Sequence, residues 1–369
     1  MRLTDSVEGQ ETRVKKNMAV ILGGCLWLAS AGWPQSPAPQ EKTGNANSQV
    51  RLDVVVTDKA GNSVAGLLQQ DFTVLVDKQP RTLLSFHAFD DVSKTADVPV
   101  QVIFLIDIVN TPHRGVSNAR QQLEKFLRDR STLPVPMSLV FFTDETTQMQ
   151  GAPTRKGDAL ADTLNSAESR LRNFDRSSGF FANVERIQRS LRSLENLAAY
   201  EAKQPGRKLL IWLGSGWPMM FGPTSAPSPK DQATIFRTVV KLSTQLREAR
   251  VTVYSIDPLG IDDAGAFQTF YYENYLKGVP SASKVESGDV ALQVIATQTG
   301  GRVLNRNNEV AKLIATCVAD ATTYYTLSIN SEAADHPDEY HDIEVNIDKP
   351  GVTARTRNGY YAQQLGATK

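Results

Sequence analysis

The chain has 369 residues, enough for one large domain and a smaller unit, because single cores stop growing at about 250–300 residues. Hydrophobic residues make up 41% and charged residues 22% of it, which excludes both a disordered chain and one that crosses a membrane many times. Forty basic and forty acidic side chains cancel, so no basic field exists for a phosphate backbone and nucleic acid is not an expected partner.

Residues 1–31 read as a signal peptide, with Met1 or Met18 as the start. Arg13, Lys15 and Lys16 precede the apolar run from Met18 to Leu28, and Ala29-Ser30-Ala31 supplies the small residues a signal peptidase accepts. Export to the periplasm or the exterior follows. Leu22-Gly23-Gly24-Cys25 also resembles a lipobox. Lipidation of Cys25 would anchor the protein at the cell envelope and is the one route to a membrane partner, although the apolar run continues past it through Leu28. Cleavage after Ala31 leaves Cys317 as the single cysteine and rules out an intrachain disulfide. Its neighbours Val310, Leu313, Ile314, Val318 and Ala321 recur at helical spacing, which makes Cys317 a buried small hydrophobe.

Residues 32–49, rich in Pro, Ser, Gly and Asn, form a linker. An N-terminal β segment occupies residues 50–98. Leu52, Val54 and Val56 alternate with Asp53, Val55 and Thr57, residues 58–62 supply a turn, and Phe72, Val74 and Val76 resume the alternation before a further strand at Leu83 to Phe89. Over residues 99–322 apolar runs alternate with helical segments, the pattern of a mostly parallel sheet covered on both faces. Strands are predicted at Val100–Ile106, Met137–Phe142, Lys208–Leu213, Val251–Ile256 and Arg302–Leu304. Helices are predicted at Val116–Leu127, Asp158–Leu171, Val184–Glu201, Ile235–Ala249, Val290–Thr299 and around Cys317. Right-handed crossovers then give a doubly wound α/β fold. A C-terminal β segment covers residues 323–369, with strands at Tyr324–Ile329, Ile343–Ile347 and Val352–Tyr361. Neither terminal segment can bury a core alone, so the two are expected to pack together as a small sandwich-like unit.

Three runs carry a family resemblance: Val102-Ile103-Phe104-Leu105-Ile106-Asp107-Ile108-Val109-Asn110-Thr111, Leu209-Leu210-Ile211-Trp212-Leu213-Gly214-Ser215-Gly216-Trp217, and Val253-Tyr254-Ser255-Ile256-Asp257. With Ala296 to Gly301, the opening Val54 to Asp58 and the closing Gly359-Tyr360-Tyr361, they make residues 50–361 resemble von Willebrand factor type A (VWA) proteins of the exported acidobacterial type. The resemblance implies a Rossmann-like VWA domain that recognises a protein ligand without catalysis, in an adhesion-type role. In that family an Asp-x-Ser-x-Ser loop, a threonine and a second aspartate hold Mg²⁺ or Mn²⁺ in a shell of hard oxygens. Asp107 and Thr111 match two of these positions and are the candidate metal residues. Val109 replaces a serine, and Gly214 or Ser215 stands where the second aspartate falls. The resemblance therefore implies a degenerate metal site, unless Asn110, Ser215, Asp144 or Glu145 compensates. Otherwise Asp107 only closes its strand, bonding loop amides as turn aspartates do.

Ligands of such sheets dock beyond the carboxyl ends of the strands, where strand order reverses. The candidate ligand-binding residues are Asp107, Asn110, Thr111, Ser215, Trp217, Phe221, Tyr271 and Tyr272, in loops that also carry Met219, Met220, Phe267, Phe270 and Tyr275. These aromatics form either a partner-binding face or core folded back over the sheet edge. A structural role in an envelope complex is the alternative function. A hydrolase built on Ser215 and His113 ranks third, since glycines do not stand two positions either side of the serine. No His-Glu-x-x-His, phosphate-binding loop or dinucleotide fingerprint is present.

Overall fold

The computed structural model describes residues 49–94, 100–167, 180–217, 227–260, 271–332 and 334–362. The expected signal peptide, lipobox and most of the linker lie outside them. The amino-terminal segment forms β1 (Gln49–Asp58), β2 (Phe72–Val76), β3 (Gln79–Arg81) and β4 (Ser85–Phe89). The central segment follows as β5 (Val100–Asp107), α1 (His113–Arg128), β6 (Thr132–Phe142), β7 (Thr147–Lys156), α2 (Gly157–Ser166), α3 (Phe180–Glu201), β8 (Arg207–Leu213), α4 (Pro229–Glu248), β9 (Val251–Ile256), α5 (Leu292–Gln298), β10 (Val303–Leu304) and α6 (Val310–Ala319). Four strands close the chain: β11 (Tyr324–Asn330), β12 (Glu339–Ile347), β13 (Val352–Arg355) and β14 (Gly359–Ala362).

The central strands form one six-stranded sheet in the order β10-β9-β8-β5-β6-β7, parallel except for β7. Its apolar strands are buried on both faces, which is why they read as runs rather than alternations. On one face Val102, Phe104 and Ile106 share a core with Leu123 and Phe126 of α1, Leu160 of α2 and Ile314 of α6. On the other, Ile103 and Leu105 pack with Leu194 of α3, Leu242 and Leu246 of α4 and Leu292 at the start of α5. The chain is therefore a doubly wound α/β fold with a mostly parallel sheet. Among the described residues no helix is long and apolar enough to cross a membrane.

Local chemistry sets the helix ends. Ser228 caps α4, accepting from Asp231 N while Asp231 reaches back to the cap, and Pro229 opens the first turn. Arg250 then turns the chain at positive φ (54°) into β9.

The strands of the two terminal segments interleave in two antiparallel four-stranded sheets, β13-β1-β11-β4 and β14-β12-β2-β3. Each sheet draws strands from both ends of the chain, and Leu52, Val54, Phe72, Val74, Tyr325, Leu327 and Tyr360 fill one core between them. Val55, on the opposite face of β1, joins the core of the central sheet instead.

Three features differ from the expectations, the first being the short strand β3, which pairs with β2 and was not predicted. The edge strand β7 was not anticipated, because Thr147–Lys156 carries Gly151 and Pro153 and lacks apolar alternation. The expected final strand Val352–Tyr361 divides into β13 and β14, which belong to different sheets. At the crossing, Thr356 Oγ1 donates to the Asp53 carbonyl (2.9 Å) and Asn358 N donates to the Gln298 carbonyl (3.1 Å).

Candidate functional site

Strand order reverses at β5: the chain runs outward through β6 and β7, then returns to β8 on the other side. The carboxyl ends of β5 and β8 border the crevice that this reversal opens. Asp107, the last residue of β5, and Gly214, just after β8, stand there side by side.

Asp107 is fully buried, and its carboxylate is held by N–H donors. Asn110 N donates to Oδ1 (2.9 Å), while Asn110 Nδ2 (2.8 Å) and the indole Nε1 of Trp212 (2.9 Å) donate to Oδ2. Asn110 Nδ2 also donates to Ser190 Oγ on α3 (2.9 Å), and Ser190 Oγ donates to the Arg186 carbonyl. Trp212, on β8, reaches Asp107 because β5 and β8 are neighbours in register. Thr111 is fully buried behind this shell. A Cβ on Gly214 would lie 2.8 Å from Asp107 Cβ and 2.7 Å from Thr111 Oγ1. Glycine is therefore required where the resembled family places its second aspartate.

This donor set does not fit a divalent cation. Mg²⁺ or Mn²⁺ needs about six oxygens, whereas three N–H groups point at the one carboxylate, and the glycine contact leaves no room for another. Asn110 Oδ1 is buried without a hydrogen-bond partner and Thr111 Oγ1 lies in the same cluster, two further oxygens rather than a shell of about six. Asp144 and Glu145 are exposed in the β6–β7 turn. Among the described residues no group of three or more His, Cys, Asp or Glu side chains converges to hold a metal.

Asp107, Asn110, Thr111 and Gly214 thus form one cluster, and half-buried Ser215 follows it in the chain. Trp217, for which the sequence left a partner-binding face and a folded-back core both open, lies in the core. It is 6% exposed, donates from Nε1 to the Val290 carbonyl (2.8 Å) and stacks edge-on against Trp212 at 5.4 Å. Phe221 lies outside the described residues, as do Met219, Met220, Phe267 and Phe270. Tyr271 opens a 3₁₀ turn, Tyr271–Tyr275. Tyr272 is half-buried against a cluster containing Tyr275, Ala291 and Val294, and burial, followed by the Glu273 charge, pushes its hydroxyl pKa up. The described edge is accordingly polar, with His113, Arg114, Asp144, Glu145, Arg306 and Asn307 exposed.

No known family profile matches the chain, and no curated protein does. Among solved structures, an aerotolerance-related membrane protein from Bacteroides fragilis is 13% identical; the match covers 59% of this chain and 98% of that one, with a TM-score of 0.31. A manganese-loaded TRAP protein from Plasmodium vivax is 11% identical over 79% of this chain and 99% of that one, also at 0.31. At this level neither assigns a family or an activity.

Trp212 and Ser190 are the site residues that the sequence reading missed. Trp212 lies inside an apolar run, where every position reads as core, and Ser190 is one polar residue of a long helix. Only the three-dimensional register brings both to Asp107.

Proposed function

We propose that the chain is an exported, non-catalytic binding protein that recognises a protein ligand at the carboxyl edge of its central sheet without a bound metal. The observation that carries this reading is the reversal of strand order at β5, which gathers the loops after β5, β6, β8 and β10 at one edge, together with an Asp107 carboxylate already saturated by protein donors. A rigid scaffold presenting convergent loops is the usual setting for recognition. The exposed side chains described there carry both charges, which suits a polar, steered protein contact.

A catalytic reading lacks support in the geometry. His113 is exposed in the first turn of α1. A histidine does bond a carboxylate in His341–Asp77 (2.7 Å), but this pair belongs to the terminal β unit. Fold alone does not decide function, so the test addresses the edge itself. His113→Glu and Glu145→Lys, which alter exposed residues, should abolish co-purification of the protein partner while leaving the unfolding free energy within about 0.5 kcal/mol of the parent. Unchanged partner recovery would refute the assignment to this edge.

A further inference from the structure

The connection between β13 and β14 carries a buried cation that the recognition edge does not use. Bonds from Thr356 and Asn358 fix the backbone on either side of Arg357, and the Arg357 side chain turns inward, 8% exposed. Among the described residues it forms no hydrogen bond and no ion pair. Other arginines of this region, buried Arg207 and half-buried Arg250 and Arg355, are partnered: Arg207 donates to the Asp320 carbonyl, Arg250 pairs with Asp53 and Arg355 with Asp320.

Arg357 borders a small cavity with Leu242 and Leu246 of α4, Gln298 and Asp289. The cavity has a volume of about 20 Å³, room for one water-sized or chloride-sized guest. Gln298 Nε2 is buried there without an acceptor. Burial, and then the charge of Arg247, lower the Arg357 pKa to about 9, so the guanidinium remains charged at neutral pH. Asp289 supplies the acid on the wall, yet it makes no ion pair with Arg357, and its Oδ2 accepts Glu286 N (2.7 Å).

A buried charge is costly unless it is paired. Two donors on the wall, the Arg357 guanidinium and Gln298 Nε2, lack an acceptor, so one small anion satisfies both and adds to the attraction of Asp53 for Arg357, whereas a neutral water would add no charge beside the guanidinium. We propose that this cavity binds a single monovalent anion of chloride size between Arg357 and Gln298, clamping the terminal β unit to α4 and α5.

The test is thermal unfolding of the full chain at constant ionic strength, with chloride exchanged stepwise for gluconate, which is too large for the cavity. Chloride should raise the midpoint saturably. At 100-fold excess over its dissociation constant the folding equilibrium constant rises about 100-fold. Arg357→Met should lose this chloride response whatever its own midpoint, and Gln298→Leu should weaken it. Crystals grown in bromide should show an anomalous peak between Arg357 and Gln298, a readout that does not depend on either variant folding. Equal midpoints in chloride and gluconate, an unchanged response in Arg357→Met, or an absent bromide peak would each overturn the proposal.

Discussion

The Trp212 indole donates to Asp107 Oδ2 across 2.9 Å, linking the ends of two neighbouring central strands. Both residues are fully buried, and the bond turns what resembles a metal position into an internal anchor. Asp107→Ala would leave the indole and the Asn110 amide without their acceptor and remove one of the two acceptors of Asn110 Nδ2. Hydrogen bonds to a charged group contribute about 1.5–3 kcal/mol each, so we expect a loss of about 3 kcal/mol or more in urea-unfolding free energy. Asp107→Asn should cost less, since one oxygen remains to accept.

Gly214→Asp does not rebuild a cation site. Its Cβ would meet Asp107 Cβ at 2.8 Å, and a second carboxylate would face the first at close range. The expected outcome is a lower melting temperature with no heat of Mn²⁺ binding on calorimetric titration.

Asp320 joins three elements at the seam with the terminal β unit. Arg302 bonds both of its oxygens (3.1 and 3.2 Å), Arg355 bonds Oδ2, and Tyr254 donates to Oδ2 at 3.0 Å. Burial alone would raise its pKa, but Arg355 and Arg302 outweigh it and hold the group below the ordinary carboxylate value. A depressed folded-state pKa gives stability that is complete above the unfolded value, near 3.8, and is lost as pH falls through the folded one. Removing one partner from a buried ion pair costs about 3–5 kcal/mol, so Asp320→Ala should destabilise by that order and flatten the acid limb of a stability profile.

Much of this architecture was legible in the sequence, and what was not has identifiable causes. The parallel strands stood out because burial on both faces demands apolar runs, as in Val100–Asp107 and Arg207–Leu213. Strand β7 was hidden because it is a polar edge with Gly151 and Pro153, and needs only one side of its backbone paired. The split between β13 and β14 was hidden because Thr356 and Asn358 find acceptors on Asp53 and Gln298, distant in sequence. At the site, Asp107 and Thr111 were named because the loop after the first central strand resembles the family's metal loop, and Asn110 as a neighbour that could compensate. The burial of Trp217 was not settled, because an aromatic beside glycines and prolines fits an exposed loop and a folded-back one equally well.

Asp289 gives a pH signature of the opposite sign. Burial, and then the Glu286 charge, raise its pKa to about 6, although a bond from Glu286 N opposes the shift. The folded state then binds more protons than the unfolded one between about pH 4 and 6, so stability falls as pH rises through that window. The effect is at most about 3 kcal/mol for a shift of roughly two units. Asp289→Asn should remove this slope from unfolding curves collected across that range.

Cys317 is fully buried in α6, and burial, then the Asp320 charge, push its thiol pKa well above the ordinary value. A thiol reagent should modify it only through unfolding, so the labelling rate should follow the global unfolding equilibrium as urea is raised.

The most direct test of metal-free recognition at the carboxyl edge is photo-crosslinking, with the reactive group placed at Glu145 and Asn307 and, as a control, at Lys203 before the opposite end of β8. The account predicts a discrete protein adduct from the two edge positions, none from Lys203, and the same yield in excess Mg²⁺ as in EDTA. Adducts that vanish in EDTA, or that arise equally from Lys203, would contradict it.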